Sequence, residues 1–523
     1  MQQSWRTPVL DVPGTTPSLI ADSRGRTVLW LATAAVAGAV MMALEMAASR
    51  LYAPYFGYSV YVWGSMISVV MAALAAGYAA GGWLADRMPA QTALFLAILA
   101  SAAYQLIALY TMGSLLTSLA PSGDFLGAGA ATAVLFAPSM AALAASGPVL
   151  VRLCSRSGRV GSAAGKVYAL STIGSMAGIL VASFSLLPHI GTHGTLRLLC
   201  AVSFAVAGAG LIARIRYPIV AVVLALGILC SPDLGWGDNT IWSKESAYNL
   251  VRVVRKGTRT FLLLNHQTSV HTVREESGTW TGYYYDVFAV GPLLTRADRA
   301  LVLGMGAGAS IHAMRTVAPQ IDIDAVEIDP QVVKAAERWF AIDPTDPRLH
   351  IHVADARPWL LRSRRSYDVV QVDLYQGGPY VPFYLVTEEF FRLVRAHVTG
   401  DGLLMMNVFD TGSRQELVAS IGATLRRAFP SVVAVPGSNG NTMLIAFAQN
   451  HSVDSLRPGV AGGLPAAGLP DVIRTALASA IELRPTGGTP VFTDDCAPIE
   501  EMTRRMLAGE SQRTDAVRSR EGG

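Results

Sequence analysis

The chain has 523 residues, of which 52% are hydrophobic and only 15% are charged, and its formal net charge is +4. Soluble proteins usually carry roughly a quarter of charged residues, so this composition argues against a wholly soluble protein. The small net charge gives no argument for a nucleic-acid partner, and the four cysteines contain no CxxC pair that would suggest a zinc site or a disulfide framework. Charged residues are sparse between Thr27 and Leu234 and ordinary after Asn239, which predicts a membrane half followed by a soluble half.

Six apolar stretches in the first half are long enough to cross a bilayer, which takes about 20 residues. They lie at 28–48, 60–83, 92–118, 127–151, 167–188 and 195–213. A seventh stretch, 218–230, is short enough to be interfacial or re-entrant. Basic residues before the first stretch and after the second, fourth and sixth indicate a cytoplasmic N-terminus. Six crossings then leave the soluble half in the cytoplasm, and seven would leave it outside.

The segment GYAAGGWLADR at 77–87 resembles the loop signature of major facilitator transporters, in which glycine-rich packing is followed by Asp86 and Arg87. It lacks the basic residues that complete this signature. The segment therefore predicts a facilitator-like helical bundle without predicting transport.

The soluble half begins with short strands between about 241 and 273, in which apolar residues alternate, and these predict a small β domain. The segment YYYDVFAVGPLL at 283–294 is interpreted as a helix that leads into the first core strand.

The stretch at 300–329, ALVLGMGAGASIHAMRTVAPQIDIDAVEID, is the most informative part of the sequence. An apolar strand runs into three glycines, Gly304, Gly306 and Gly308, and a helix and a second strand follow, ending in Glu327. Glycines at this spacing let a backbone approach a nucleotide closely, and an acid about 20 residues on can hold ribose hydroxyls. This order predicts a ligand that contains a nucleoside.

Alternation of helices and strands continues after Glu327 and predicts a mostly parallel sheet, which binds ligands at the carboxyl ends of its strands. Asp355 and Asp373 follow two further strands, so we expect them beside Glu327. Glu327 would accept hydrogen bonds from ribose hydroxyls and Asp355 from an adenine amine, because both roles need an acceptor. Asp373 lies where a reacting amine would sit and is predicted to be its general base.

From about 246 to 448 the order of these motifs resembles the spermidine synthase, or polyamine aminopropyltransferase, family. The segments that carry the resemblance are the β domain, YYYDVF, LVLGMGAGA, VEID, HVADA, YDVVQVD and the following FY and EEFF. The whole chain resembles bacterial membrane proteins in which a facilitator-like bundle precedes such a domain, and TDDCAPIE at 493–500 is similar to their terminal motif.

This resemblance implies transfer of an aminopropyl group from decarboxylated S-adenosylmethionine to a diamine such as putrescine, without a prosthetic group or a metal. By resemblance, Gly304, Gly306, Gly308, Glu327 and Asp355 bind the donor. Asp373 is the catalytic residue, and Tyr284 and Gln376 contact the acceptor.

Three positions depart from the family pattern. Ala307 replaces an aspartate that binds the donor's amine, Gln376 replaces an aspartate that helps to bind the polyamine, and Asn249 replaces a glutamine of the β domain. Asp286, Asp494, Asp495 and Glu500 are candidates to compensate, although a helix face, helix caps and loops explain them equally well. Two further hypotheses therefore remain open: another S-adenosylmethionine-dependent alkyl- or methyltransferase, and a transporter or sensor with a non-catalytic nucleoside-binding domain.

The expected fold is an N-terminal transmembrane helical bundle followed by a small β domain and an α/β Rossmann-like domain that binds S-adenosylmethionine. The predicted boundaries are 1–26 for a cytoplasmic tail, 27–235 for a bundle of six to seven helices, 236–298 for the β domain, 299–450 for the Rossmann-like domain and 451–523 for a C-terminal extension. We expect a multi-pass protein of the inner cell membrane, with a polyamine and the lipid bilayer as partners. A cytoplasmic soluble half is expected because a nucleoside donor is available there. Family resemblance also makes a homo-oligomer an expectation.

Overall fold

The computed structural model describes residues 17–155, 159–211, 227–232, 239–265, 269–276, 278, 280–437, 439–457, 469–484 and 487–509. A helical bundle comes first, and a C-terminal part made of two β-sheets with flanking helices follows it. The predicted order of a helical region, a small β domain and an α/β domain is confirmed.

The bundle contains seven helices in its described residues. They are α1 (Pro17–Phe56), α2 (Val60–Arg87), α3 (Ala90–Leu119), α4 (Asp124–Leu135), α5 (Ala137–Cys154), α6 (Val160–Val181) and α7 (Leu187–Leu211). Five helical runs among the described residues are long and apolar enough to cross a membrane: Gly25–Phe56, Val60–Arg87, Ala90–Ser122, Ala137–Cys154 and Val160–Ala209.

The boundaries of the helices differ from the predicted ones at three points. Helix α1 already begins at Pro17, inside the predicted tail. The fourth stretch is divided between α4 and α5 at Phe136, because Pro138 lies in the first turn of α5. The fifth and sixth stretches form one continuous run through a π-helical turn, Ala182–Leu186, and the chain bends at Gly191, whose φ is +72°. Most of the seventh stretch, 218–230, lies outside the described residues.

Two apolar clusters mark the two ends of the bundle. Trp30, Ala85, Val149 and Ala207 share one cluster, and Arg87 and Arg152 lie at helix ends beside it. Phe56, Val62, Leu116, Leu196 and Ile228 belong to the cluster at the opposite end. Ala207 and Ile228 therefore lie at opposite ends of the bundle.

The C-terminal part of the chain begins with a four-stranded antiparallel sheet. Its strands are β1 (Thr240–Glu245), β2 (Leu250–Lys256), β3 (Arg259–Leu264) and β4 (Val270–Glu275). A 3-10 helix, Tyr284–Ala289, and the short helix α8 (Val290–Thr295) replace the single helix predicted at 283–294.

An eight-stranded sheet forms the core of the Rossmann-like region, in the order β12-β10-β11-β9-β8-β5-β6-β7. Its strands are β5 (Arg299–Leu303), β6 (Asp322–Glu327), β7 (Leu349–Val353), β8 (Tyr367–Val372), β9 (Val398–Phe409), β10 (Ser431–Pro436), β11 (Asn441–Phe447) and β12 (Ile481–Glu482). The intervening helices are α9 (Ala309–Val317), α10 (Pro330–Trp339), α11 (Ala356–Arg362), α12 (Glu388–Arg395), α13 (Glu416–Leu425) and α14 (Asp471–Ala478). Strands β5 to β9 pair in parallel, and the late strands pair antiparallel, which confirms the mostly parallel core.

The register of these strands brings the predicted site residues to one edge. Leu303 of β5 lies opposite Val326 of β6 on one side and Val372 of β8 on the other. Consequently Gly304, Glu327 and Asp373, which come at or just after these positions, meet at the carboxyl end of the sheet.

The C-terminal part of the chain contacts one end of the bundle. At this end α1 ends and α2 begins. Glu500 Oε2 accepts a hydrogen bond from the Val60 amide at 2.8 Å, and Glu501 Oε2 accepts one from the Tyr61 hydroxyl at 2.7 Å. The Arg504 guanidinium stacks on the Tyr61 ring, 5.1 Å from its centroid. A helix over residues 499–509 thus joins the two parts. It includes Glu500, the last acid of the segment TDDCAPIE.

Candidate active site

The glycine turn after β5 needs backbone conformations that only glycine adopts easily. Gly304 has φ +81°, and a Cβ there would lie 2.2 Å from the Asp373 carbonyl oxygen. Gly306 and Gly308 also have positive φ values, +52° and +87°. Because these residues have no side chain, the turn packs directly against the end of β8. The predicted close approach of backbone is therefore present at the candidate site.

Glu327 ends β6 and holds the glycine turn. Its Oε2 accepts a hydrogen bond from the Gly306 amide at 3.0 Å, and its Oε1 accepts one from the Asp329 amide at 3.1 Å. Burial disfavours the charged form of this carboxyl group and raises the pKa of Glu327 to about 7. Glu327 lines the same cavity as Gly304 and Gly306, where it could accept from ribose hydroxyls.

Asp355 and Gln376 reach the same cavity from two other loops. Asp355 caps helix α11, since its carboxylate accepts from the Arg357 amide at 3.0 Å, and it also accepts from the Tyr384 hydroxyl at 3.1 Å. The Gln376 amide donates to the Tyr380 carbonyl at 2.9 Å, and the Gln376 side chain is exposed. Asp355 is thus both a helix cap and a cavity residue.

Asp373 follows β8 and lies between two hydrogen-bond donors. The Tyr284 hydroxyl donates to Oδ2 at 3.0 Å, and the Asn407 side-chain amide donates to Oδ1 at 3.3 Å. Burial raises the pKa of Asp373 to about 7, while both hydrogen bonds lower it by a smaller amount. A carboxyl group that titrates near neutral pH is suited to take a proton from an amine.

Three functional candidates in this region were missed by the sequence analysis. Asn407 is the polar residue in the apolar strand GLLMMNVF, and Gln371 is the polar residue within the buried strand β8. Gln371 Oε1 and Asn407 Oδ1 are buried and have no hydrogen-bond partner among the described residues. A polar residue inside an otherwise apolar strand was the available signal, because burial of an unpaired amide is costly unless a ligand satisfies it.

His271 is the third missed residue. It lies at the start of β4, and its Nε2 has no hydrogen-bond partner in the described part of the chain. Burial lowers the pKa of His271 to about 4, so its imidazole is neutral at pH 7. A neutral ring can donate or accept a hydrogen bond, and it adds no charge beside Asp373.

Ala307 is directed away from the cavity. It is 0% exposed, packs in the apolar core, and its amide donates to Thr272 Oγ1 at 2.9 Å. Asn249 does line the cavity, where its amide donates to Asp329 Oδ2 at 2.9 Å. An acid at position 307 would therefore not point into the cavity in this conformation.

The four acids considered as compensation do not line the cavity. Asp286 is fully buried and accepts hydrogen bonds from Thr281 and from the Gly282 amide. Asp494 forms a bidentate ion pair with Arg357, with N–O distances of 2.8 and 2.5 Å. Glu500 accepts from Val60, and Asp495 is an exposed loop residue. Within the described ranges, no group of three or more His, Cys, Asp or Glu residues could hold a metal ion.

Comparison with known proteins finds a family match for this region. Residues 287–456 match the Spermine/spermidine synthase domain. We call residues 287–456 the synthase domain. The resemblance predicted from LVLGMGAGA, VEID and YDVVQVD is thus confirmed for it, and the synthase domain contains Glu327, Asp355 and Asp373.

Relatives of the synthase domain carry two kinds of activity in their names. A probable polyamine aminopropyl transferase of Bifidobacterium longum is 30% identical over 252 residues, covering 47% of this chain and 54% of the relative. A polyamine aminopropyltransferase of Vibrio vulnificus is 30% identical over 157 residues, covering 29% of this chain and 51% of the relative. The human eEF1A lysine and N-terminal methyltransferase is 28% identical over 200 residues, covering 36% of this chain and 26% of the relative. The chain thus spans about half the length of the two aminopropyltransferases.

Proposed function

We propose that this protein is a membrane-anchored aminopropyltransferase that moves an aminopropyl group from decarboxylated S-adenosylmethionine to an amine, in the first instance a diamine such as putrescine. The observation that carries the proposal is the meeting of Asp373 and Tyr284 in the cavity that the glycine turn and Glu327 also line, with Asn407 donating to Asp373 from β9. A nucleoside site and a candidate base are thereby brought to one sheet edge.

The reaction is a displacement at carbon. The acceptor nitrogen attacks the aminopropyl carbon that is bonded to the sulfonium sulfur, so a C–N bond forms and the C–S bond breaks. The sulfur keeps the electron pair and leaves as the neutral thioether of methylthioadenosine. Asp373 takes the proton that the acceptor nitrogen loses, and Tyr284 and Asn407 orient its two carboxylate oxygens.

The donor's adenosyl group is expected against Glu327 and Asp355. Glu327 would accept from the ribose hydroxyls, and Asp355 from the exocyclic amine of adenine. The cavity that these residues line has a volume of about 130 Å³, whereas ligand pockets commonly reach about 300 Å³ or more. Donor binding is therefore expected to widen it, and the exposed Gln376 side chain is among the residues that line it.

The donor's own amine needs an acceptor other than residue 307. Gln371 Oε1 is a buried, unpaired acceptor in the same cavity, two residues before Asp373 on β8. Side chains two residues apart on a strand share one face of the sheet. We therefore assign the donor's ammonium group to Gln371, which takes the place of the family's aspartate at position 307.

Membrane anchoring rests on the five apolar helical runs of the bundle. Such runs are compatible with membrane spans, and their number and length support a multi-pass protein of the cell membrane.

The test uses the full-length protein in lipid nanodiscs with decarboxylated S-adenosylmethionine and putrescine. Release of methylthioadenosine and formation of spermidine are measured for the wild type, Asp373→Asn and Asp401→Asn. Asp401 is exposed at the opposite end of β9, so Asp401→Asn is the matched control and should keep wild-type activity. Asp373→Asn should lose a factor of about 10²–10⁴ in kcat. Equal activity of Asp373→Asn and wild type would refute the role of Asp373.

The methyltransferase relative and the alanine at position 307 favour a second candidate, methyl transfer from S-adenosylmethionine. The same preparation incubated with S-adenosylmethionine distinguishes the two reactions by their nucleoside products. S-adenosylhomocysteine indicates methyl transfer, and methylthioadenosine indicates aminopropyl transfer.

A further inference from the structure

A second cavity lies between the synthase domain and the end of the bundle, and its volume is about 980 Å³. Tyr284, Tyr285, Tyr375 and His271 line both this cavity and the one that contains Glu327. We call it the junction cavity. Of the two cavities, Asp373 lines the one that contains Glu327, but Tyr284 and Asn407, which bond Asp373, line the junction cavity. The junction cavity therefore ends one side chain away from the proposed base, on the bundle side.

The junction cavity is walled on one side by the bundle. Tyr55 and Phe56 at the end of α1 line it, together with Ala120 and the first residues of α4. Two of the candidate spans, Gly25–Phe56 and Ala90–Ser122, end at this wall. The hydrogen bonds of Glu500 and Glu501 to α2 hold the two walls together, so the space belongs to a docked interface.

The walls carry almost no free charge. Among the described lining residues there is one carboxylate, Asp124, and one guanidinium, Arg504. Asp124 already accepts from the Ser59 hydroxyl and the Phe125 amide, both at 2.8 Å. Arg504 is paired with Glu501 through two N–O contacts of 2.9 Å. Nine of the described lining residues are tyrosines or phenylalanines.

This chemistry does not match a short polycation. Each ammonium group that leaves water needs a carboxylate or several hydrogen-bond acceptors to offset its desolvation. Asp373 can serve the reacting amine, and Asp124, which neutral donors already contact, is the one carboxylate among the described lining residues of the junction cavity. A large, aromatic and nearly neutral cavity of this volume is typical of sites that bury an apolar ligand body.

The cavity also adjoins exposed apolar surface of the bundle. Phe125 and Leu126, which line it, are 53% and 68% exposed, and Val60 beside the docking contacts is 63% exposed. Exposed apolar side chains at the end of a membrane-spanning helix are covered by lipid. An amphipathic molecule in the membrane surface can therefore reach the junction cavity laterally.

We infer that the acceptor of this protein is an amphipathic amine, with one amino group at Asp373 and an apolar body of eight or so carbons in the junction cavity. The inference rests on the proposed aminopropyl transfer and puts an amphipathic amine in place of putrescine as the preferred acceptor. The amine enters from the bundle side, and the donor occupies the Glu327 side.

The experiment compares octylamine, butylamine and putrescine as acceptors for full-length protein in nanodiscs, with methylthioadenosine release as the readout. Butylamine has the same chain length as putrescine. It has the same charge as octylamine. The expected kcat/KM for octylamine exceeds that for putrescine by more than about tenfold, because each additional buried methylene favours binding. Higher activity with putrescine than with octylamine overturns the inference and leaves the proposed function intact. No methylthioadenosine with any acceptor overturns the proposed function itself.

Two substitutions test whether the bundle side of the junction cavity binds the apolar body of the acceptor. Ala120→Trp narrows the junction cavity from the bundle side, and Leu96→Trp adds the same side chain on the exposed face of α3, outside both cavities. Ala120→Trp should lower kcat/KM for octylamine about tenfold and change that for butylamine less than about twofold. Leu96→Trp should change neither. Parallel losses for both amines in Ala120→Trp would contradict a role of this cavity in chain-length selection.

A different observation carries a second inference, about the side of the membrane. The basic residues Arg26, Arg87, Arg152, Arg159 and Lys166 lie at the end of the bundle opposite to the synthase domain. Among the described bundle residues, only Arg50 and Arg197 lie towards the synthase domain. Basic residues collect on the cytoplasmic side of membrane proteins. We infer that the synthase domain lies on the opposite, extracytoplasmic side, in contrast to the expectation of a cytoplasmic catalytic half. The proposed nucleoside donor then has to reach that side of the membrane.

Labelling of intact cells with a membrane-impermeant maleimide tests this orientation. A Cys154→Ser/Cys230→Ser variant keeps Cys496, which is exposed in the C-terminal part, and Cys200, which is buried. A second variant adds Cys496→Ser and Gly161→Cys, since a Cβ at position 161 meets nothing within 4 Å. Cys496 should label in intact cells, and the cysteine at position 161 only after permeabilisation. The reverse pattern would place the synthase domain in the cytoplasm.

Discussion

The Tyr284 hydroxyl donates a hydrogen bond to Asp373 Oδ2 at 3.0 Å, across 89 positions of sequence. The phenol belongs to a 3-10 helix before the Rossmann-like region, and the carboxylate follows β8. The contact fixes the orientation of the carboxylate and stabilises its charged form, because the hydroxyl donates to it. It also controls the pH at which Asp373 can act as a base.

The activity should rise with pH through about 7. Asp373 can take a proton only when ionised, and its pKa is raised to about 7 by burial. The acid side of the kcat/KM profile should therefore fall about tenfold per pH unit. In Tyr284→Phe the hydrogen bond that lowers this pKa is lost, so the acid limb should move to higher pH. A profile of Tyr284→Phe that overlies the wild type after scaling would contradict this account.

The buried Asp373 carboxylate should lower the stability of the folded protein above neutral pH. An acid whose pKa is raised in the folded state binds more protons there than in the unfolded chain between about pH 4 and 7, so its contribution to stability falls as pH rises through that range. Asp373→Asn removes this loss. We expect the variant to be more stable than wild type at pH 8, on the order of 1 kcal/mol or more, and similar at pH 4. Thermal unfolding at both pH values measures the difference, and a variant less stable at pH 8 contradicts the burial argument.

Gln371 should recognise the donor's aminopropyl group and nothing else of the donor. Gln371→Met keeps the volume of the side chain but removes the buried acceptor Oε1. A hydrogen bond to a charged group contributes about 1.5–3 kcal/mol, so the affinity for decarboxylated S-adenosylmethionine should fall about 10- to 150-fold. Methylthioadenosine lacks the aminopropyl group and serves as the matched ligand. Equal losses for both ligands in calorimetry would indicate a general disturbance of the cavity.

Ala307→Asp should not restore the acid that relatives use for the donor's amine. Ala307 is fully buried in the apolar core, and a carboxylate there would lack a partner. An uncompensated buried charge costs roughly 3 kcal/mol or more, so the variant should unfold at lower temperature. Tighter binding of the decarboxylated donor by Ala307→Asp, at unchanged thermal stability, would show that the side chain at this position enters the cavity.

Much of the site could be predicted because parallel strands end at one edge of a sheet. Gly304, Glu327, Asp355 and Asp373 each follow an apolar strand, and the fold brings all four to one cavity. The partner of Asp373 on the other side could not be predicted in this way. Asn407 lies beside Asp373 only because β9 pairs with β8 in register, and sheet order is not visible in the pattern of a single strand.

Local backbone geometry explains the remaining differences. The direction of Ala307 depends on the dihedral angles of the turn, in which the neighbouring Gly306 and Gly308 have positive φ values. Hydropathy alone cannot divide the stretch 127–151, since both α4 and α5 are apolar and the break at Phe136 depends on the first turn of α5. The docking of the 499–509 helix on α2 depends on single hydrogen bonds between distant segments.

The tyrosines at positions 284, 285 and 375 form a common wall of the two cavities beside Asp373. A sulfonium nucleoside on one side and an amine on the other would not obstruct each other's path, so either could load into the free protein first. The steady-state kinetics should then follow a random sequential scheme with a ternary complex. Double-reciprocal plots at several acceptor concentrations would intersect, and no aminopropylated form of the protein would accumulate between half-reactions.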